Sequence, residues 1–282
     1  MTTSERRSAA RVRGGAEDMM LSLDGGDLHV RRDGPRDAPA LLLVHGSAAS
    51  TRSWDALVPL LTPSHHVVLV DLPGHGRSPE PAGHGHAVPG QARTVGAALD
   101  RLGVRHAVVG HSGGGYTATA LAEQRPDLVT ALALVNTGPR PDAFAGQASA
   151  AIEPALWPPS DEQVRLLAST AFRDGFPVPQ ELVDDVRGMT FQAFTGSSQA
   201  SPAYPAERSL PDRLAALGKP LHVIFGDRDR RWRPGSAADY RVVPGAHVEY
   251  LPGSGHTPII EDPQRTAALL LDFAKAQCAR AE

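Results

Sequence analysis

The run Ala107-Val108-Val109-Gly110-His111-Ser112-Gly113-Gly114-Gly115-Tyr116 changes character twice. Ala107 to Val109 is a short apolar strand signal. Gly110-His111-Ser112-Gly113-Gly114 fits the pattern G-x-S-x-G. The alanine-rich segment Tyr116–Arg125 then reads as a helix, closed by Pro126. A glycine-rich chain meets this pattern by chance roughly 0.2 times, so the string alone is weak and its strand–turn–helix setting carries the reading. Such a junction holds the serine on a sharp, exposed turn, and the flanking glycines let strand and helix approach closely. The helix N-terminus places its dipole and free N–H groups beside Ser112. The competing reading is a plain glycine-rich turn in which Ser112 is only a helix cap.

On both sides of this junction the same rhythm continues. Leu41–Val44 runs into His45-Gly46, Val67–Val70 into Asp71 and the Gly74/Gly76 turn, and Leu132–Val135 into Asn136. Leu221–Phe225 runs into Gly226, and Val248–Leu251 into Pro252-Gly253. Uninterrupted apolar runs of this length suit strands buried on both faces of a parallel sheet. Between them lie helical patterns: Arg52–Leu61, with Trp54, Leu57, Val58 and Leu61 on one face, Val95–Leu102, and Pro263–Gln277. Met20–Leu23 and Leu28–Arg32, joined by Asp24-Gly25-Gly26-Asp27, predict an antiparallel hairpin at the start. The sum is an α/β chain with a mostly parallel, doubly wound sheet.

One stretch departs from the rhythm. Residues 139–217 hold no clear strand, ten prolines and half of the chain's aromatic residues. A structureless loop of that length is improbable in a compact domain, so a helical insertion is expected. Ligands of open α/β sheets bind beyond the carboxyl ends of the strands, where such an insertion would serve as a cap or lid. The expected organisation is an arm over residues 1–18, a core over 19–138 and 218–282, and the lid over 139–217.

The 282 residues are enough for a large single core. Hydrophobic residues make up 41% and charged residues 21%, a globular balance. A net charge of −3 argues against a dedicated nucleic-acid binder. Only Lys219 and Lys275 are lysines, so arginine supplies nearly all the positive charge. The single cysteine, Cys278, excludes an internal disulfide. No apolar run reaches the roughly 18 residues of a membrane span. The arginine-bearing start (Arg6, Arg7, Arg11, Arg13) lacks the apolar stretch of a secretory signal, so a cytoplasmic protein is expected. His84 and His86 are spaced two apart with no nearby carboxylate or cysteine, a weak metal signal. No metal and no cofactor are expected.

Five pieces, in order, make the chain resemble the α/β-hydrolase superfamily from about Met20 to Ala276. They are Leu43-Val44-His45-Gly46, Asp71-Leu72-Pro73-Gly74-His75-Gly76-Arg77-Ser78, the Ser112 turn, Gly226-Asp227-Arg228-Asp229, and Gly255-His256-Thr257-Pro258 with Glu261. The resemblance implies a serine hydrolase with a helical lid. Ser112 would be the nucleophile and His256 its base. Asp229 would orient the histidine, with Asp227 as the fallback. Backbone N–H groups of Ser47 and Gly113 would hold the oxyanion, with His45 shaping that turn. His111, a neighbour of Ser112 on a tight turn, should point away from it. Arg228, Arg230, Arg231 and Arg233 are expected to be solvated or ion-paired, and a cation near Asp229 would keep it ionised. Where many members carry His-Gly-x-Gly, this chain has His45-Gly46-Ser47-Ala48.

Trp157, Phe172, Phe191 and Phe194 are candidates to line an apolar substrate pocket, against the alternative of a small core within the lid. The expected substrate is a small apolar ester, lactone or thioester, with neither nucleic acid nor membrane as partner. A cyclase or acyltransferase, a C–C hydrolase or lyase, and a hydrolase-fold small-molecule sensor are the alternatives on the same residues.

Overall fold

A computed structural model describes residues 16–81, 83, 85–103, 105–146 and 153–281, with side chains to residue 277. The expected arm falls outside the described residues as far as residue 15, as do His84 and the Cys278 side chain. The chain opens with the hairpin β1 (Glu17–Leu21) and β2 (Leu28–Asp33), followed by β3 (Ala40–Val44), α1 (Val58–Leu61) and β4 (His66–Val70). Then come α2 (Val88–Leu102), β5 (His106–His111), α3 (Gly113–Gln124) and β6 (Val129–Val135). Four helices follow: α4 (Asp161–Ala168), α5 (Gln180–Gly188), α6 (Phe191–Glu207) and α7 (Leu210–Leu217). The chain ends with β7 (Leu221–Gly226), β8 (His247–Leu251), α8 (Pro258–Glu261) and α9 (Pro263–Ala281). None of the helices among the described residues is long and apolar enough to cross a membrane.

The strands form one sheet in the order β1-β2-β4-β3-β5-β6-β7-β8. β1, β2 and β4 pair antiparallel, and all other pairs are parallel. Both faces are covered, which is why the strands read as continuous apolar runs. Leu42, Val44, Val108, Leu132, Leu134, Val223 and Phe225 pack against the layer of α2, α3 and α7. Leu41, Leu43, Val109, Ala133, Val135 and Ile224 face Trp54, Leu57, Leu61 and the α9 residues Ala267 and Leu270.

Several boundaries differ from expectation for local reasons. The first strand begins at Glu17, inside the expected arm, and Asp18 bonds His29 Nε2 at 2.8 Å. Arg52–Leu61 is a 3-10 turn, Thr51–Trp54, and the separate helix α1. Pro59 has no N–H to bond back to Asp55, so one continuous helix cannot form there. α2 begins at Val88, ahead of the expected Val95, because Pro89 is tolerated in a first helical turn. α6 runs through Pro202 and Pro205. Each proline removes one helical hydrogen bond, and tertiary contacts compensate. Tyr204 of α6 donates to Glu123 at 2.6 Å and lies under the Arg213 guanidinium, 4.0 Å away.

The segment between β6 and β7 is tied to the rest at several points. Ser50 Oγ donates to Asp185 of α5 at 2.7 Å, and Arg52 Nε does so at 3.0 Å. Thr190, which caps α6, donates to Glu80 at 2.9 Å, and His86 bonds the other oxygen of Glu80 at 2.7 Å. Val164, Val183 and Val186 form a small separate core with Trp157, Phe194 and Ala48.

Candidate active site

β5 ends in a turn that puts Ser112 at φ 52°, ψ −122°, immediately before α3. A non-glycine residue there stores about 1–3 kcal/mol of strain, held by the surrounding packing. The two glycines of the pattern make the turn possible. A Cβ on Gly110 would lie 2.5 Å from Gly115 Cα, and one on Gly114 would lie 2.3 Å from the Val44 carbonyl oxygen. Both obstacles are backbone and cannot swing aside. Gly114→Ala is therefore expected to cost about 3 kcal/mol or more. It should appear as a lower urea midpoint or loss of folded protein, and an unchanged midpoint would contradict the packing described.

Three side chains from three strand ends meet here. His256 follows β8, with its Nε2 2.9 Å from Ser112 Oγ and its Nδ1 2.9 Å from Asp229 Oδ2. His256 and Asp229 are almost wholly buried. Asp229, after β7, also accepts from Asn136 Nδ2 at 2.7 Å and from the N–H groups of Arg231 and Trp232 at 2.7 and 3.1 Å. Burial pushes its carboxyl up. His256 first, then the Asn136 amide and the Trp232 N–H, outweigh burial and hold it below the usual carboxylate range. Asp229 thus remains an anion facing His256 Nδ1.

Asp227 makes no such contact. Its carboxylate accepts from Gly253 N–H at 2.7 Å, pinning the turn after β8. Of the neighbouring arginines, Arg228 is mostly exposed and Arg230 stands 3.7 Å from Asp174. Arg231 lies deeper, where burial pushes its pKa down against the pull of Asp229.

The sequence assigned no supporting role to three residues that the structure draws into the site. Asn136 adopts φ 46° and links three strand ends. Its amide donates to Asp229 and Gly255 O, and its carbonyl accepts from Gly226 N–H. The only signal was an Asn closing an apolar run, which reads as an ordinary turn. The Glu261 side chain is buried and accepts from the N–H groups of Gly255 and Thr257, clamping both neighbours of His256, and from that of Arg173. His111 turns away from Ser112 as expected, but its Nε2 donates to the His256 carbonyl at 2.9 Å. Burial, then His256, push its pKa down to about 3, so it holds that carbonyl as a neutral ring.

Ser47 and Gly113 lie face to face beside Ser112. A Cβ on Gly113 would be 3.3 Å from Ser47 N and 2.5 Å from Ser47 Oγ. Gly113 opens α3, so its N–H has no helical acceptor. His45 braces the turn: Nε2 accepts from Leu72 N–H at 2.9 Å, and Nδ1 donates to Gly46 O at 2.8 Å. Burial pushes His45 down, keeping it neutral. Ala48 stands at φ 56°, a left-handed position where glycine would be unstrained.

A narrow crevice opens from Ser47 and Gly113, lined by Leu72, His75, Gln91, Ser197 and Ser201 among others. It holds room for about one water molecule. Ser197 and Ser201 come from α6. None of the four aromatic candidates lines this crevice. Trp157 packs on Phe191 and Phe194 at centroid distances of 5.8 and 4.9 Å and donates its Nε1–H to Met189 O. Phe172 is fully buried and stacks on Phe176. Large rings bury most area in the helical segment's own packing, and from α6 the small residues Ser197, Ala200 and Ser201 are the ones that line the crevice.

His86 contacts Glu80 and packs against Gly196 of α6.

Residues 41–269 match the sequence profile described as the alpha/beta hydrolase family. Monoacylglycerol lipase ABHD6 of Homo sapiens is 26% identical over 260 residues, covering 86% of this chain and 77% of that protein. The crystal structure of a membrane phospholipase A, a bacterial virulence factor, superposes with a TM-score of 0.78 at 26% identity, covering 93% of this chain and 87% of that one. N-acyl homoserine lactonase AidH, solved with N-butanoyl homoserine, gives 0.75 at 21% identity, covering 93% and 97%, a likeness of fold. With the sheet order, the two covered faces and the serine turn, these matches place the chain in the alpha/beta hydrolase family.

Proposed function

We propose that the protein is a serine hydrolase that cleaves an ester, lactone or thioester of a small molecule through an acyl-enzyme. The reading rests on one observation: Ser112 Oγ, His256 Nε2 and Nδ1, and Asp229 Oδ2 form an unbroken hydrogen-bonded chain through two 2.9 Å contacts at a helix N-terminus. Neutral serine is a weak nucleophile and needs a base within reach. His256 takes the Ser112 proton as the carbonyl carbon is attacked. Asp229 keeps the proton of Nδ1 in place and stabilises the imidazolium. The developing oxyanion is held by the N–H groups of Ser47 and Gly113, each worth about 3 kcal/mol in reactions of this type. His256 then protonates the leaving group, and an incoming water, deprotonated by the same ring, releases the acid.

Residues 139–217 act in this reading as a lid. α6 contributes Ser197 and Ser201 to the wall of the crevice beside Ser47 and Gly113, while Asp185 of α5 and Thr190 at the start of α6 anchor the segment. The crevice is small and partly polar, so the favoured acyl group is short. A lipase and a phospholipase among the relatives support ester cleavage as the reaction class.

The test is a fluorophosphonate adduct located by peptide mass, together with p-nitrophenyl esters of rising chain length. The adduct is expected on Ser112. Acetyl and butyryl esters are expected to exceed the octanoyl ester in kcat/KM by roughly tenfold, about 1.4 kcal/mol of lost transition-state binding. Absence of both labelling and turnover would overturn the proposal. Products formed from an added alcohol instead of water would assign acyl transfer.

A further inference from the structure

At the opposite end of the strands that carry Asp229 and His256, a second cluster lies outside the proposed chemistry. His222 and His247 are direct partners in the β7–β8 ladder, and Glu249 is two residues further along β8. Side chains repeat every second residue on one face of a strand, so all three share a face. One ligand atom from each lies within 4.8 Å of the others.

We propose that His222, His247 and Glu249 form a binding site for a divalent transition-metal ion, with Zn2+ as the best-fitting class. The donor set is two imidazoles and one carboxylate, which favours zinc over magnesium or calcium. Tetrahedral zinc with bonds of about 2.1 Å sets neighbouring donor atoms about 3.4 Å apart. Glu249 Oε2 stands 3.5 Å from His222 Nε2 and 3.7 Å from His247 Nδ1, close to that spacing. Glu249 therefore already sits where one corner of such a site requires it.

The cluster also has the mix of rigidity and freedom that a site needs. His222 is 96% buried, with its side chain 4% exposed, and neither ring nitrogen has a hydrogen-bond partner among the described residues. Its ring packs on Phe273 of α9, 5.4 Å between centroids, which fixes its direction. An unpartnered buried imidazole is costly, and a metal would satisfy one nitrogen. His247 is 69% exposed and Glu249 38%, so both can adjust to the ion. Three protein ligands leave a fourth position for water.

Occupancy would staple the edge strand β8 to β7. Those two strands lead to His256 and Asp229 respectively, so the ion would brace the pair from below. It would take no part in the reaction, since five strand residues at about 3.3 Å each separate the two ends.

The experiment is calorimetric titration of the chelator-treated protein with ZnCl2 near neutral pH, beside the double variant His247→Ala/Glu249→Gln. Both changed side chains are partly exposed, so the variant should fold, which circular dichroism and its ester turnover verify. The wild type is expected to bind one equivalent. Its Tm should rise by roughly 5 °C at a hundredfold excess over Kd. The variant should bind at least tenfold more weakly while the metal-free ester activity stays equal. Equal zinc affinity in the two proteins, or no saturable binding to the wild type, would overturn the proposal. Either result leaves the reading of Ser112 untouched, because that is tested by labelling and ester turnover of the unsubstituted protein.

Discussion

Replacing Ser112 by alanine is expected to lower kcat/KM for short esters by at least about 10⁴-fold and to abolish the fluorophosphonate adduct. The change removes one oxygen at φ 52° and leaves every backbone contact of the turn in place. Alanine carries the same backbone strain, so Tm should stay within about 3 °C of the wild type. Loss of activity without loss of fold separates a chemical role from a structural one. Undiminished turnover in a preparation freed of contaminating esterase would sink the assignment. Asp229→Asn should follow, with a loss approaching 10⁴-fold, because an amide can present the wrong hydrogen-bonding group to His256 Nδ1. Asp227→Asn should change turnover less than about threefold, since its contact is with Gly253 N–H on the far side of the turn. A large loss only in the second variant would exchange the roles of the two aspartates.

That comparison also marks where sequence stops being readable. Strands such as Leu41–Val44 and Leu132–Val135 are legible because burial on both faces demands unbroken apolar residues. Ser112 is legible because the turn needs glycine at positions 110 and 114, where backbone atoms approach within 2.5 Å of a would-be Cβ. Local spacing says little about partners far along the chain. Asn136 reaches Asp229, 93 residues away, and His111 reaches the His256 carbonyl, 145 residues away. Neither carries a local pattern that would announce it. The aromatic residues of 139–217 resist reading for a related reason. Composition shows that large rings are present, but not whether they face the ligand or one another. Trp157 and Phe194 face one another. The prolines of α6 mislead in the opposite sense. Propensity predicts breaks at Pro202 and Pro205, whereas contacts through Tyr204 and Arg213 hold the helix together.

Acidification to about pH 5 is expected to remove roughly 4 kcal/mol of stability through His75 and His111 alone. His75 and His111 are each held down to about 3, burial being the first cause in both. Their ordinary value is near 6.5, so in this window the unfolded chain takes up protons that the folded protein refuses. The stabilisation is complete above about pH 6.5 and is lost progressively as pH falls toward 3. At about pH 5 each group accounts for about 2 kcal/mol, against a total stability of about 5–15 kcal/mol. His66 and His222, both near 4, and His45 and His65, also lowered, act in the same direction. Asp185 opposes them, because burial raises its pKa and the folded state then binds its proton first. Scanning calorimetry from about pH 7.5 to 5 should show Tm falling by roughly 10 °C. A Tm that stays level across that range would refute the claim that these rings are buried neutral. His111→Gln supplies the sharper check. Its Tm is expected to start lower at neutral pH, since the contact to the His256 carbonyl is altered, but the slope of stability against pH counts protons, not contacts. That slope should flatten by about one proton in the variant whatever its starting stability.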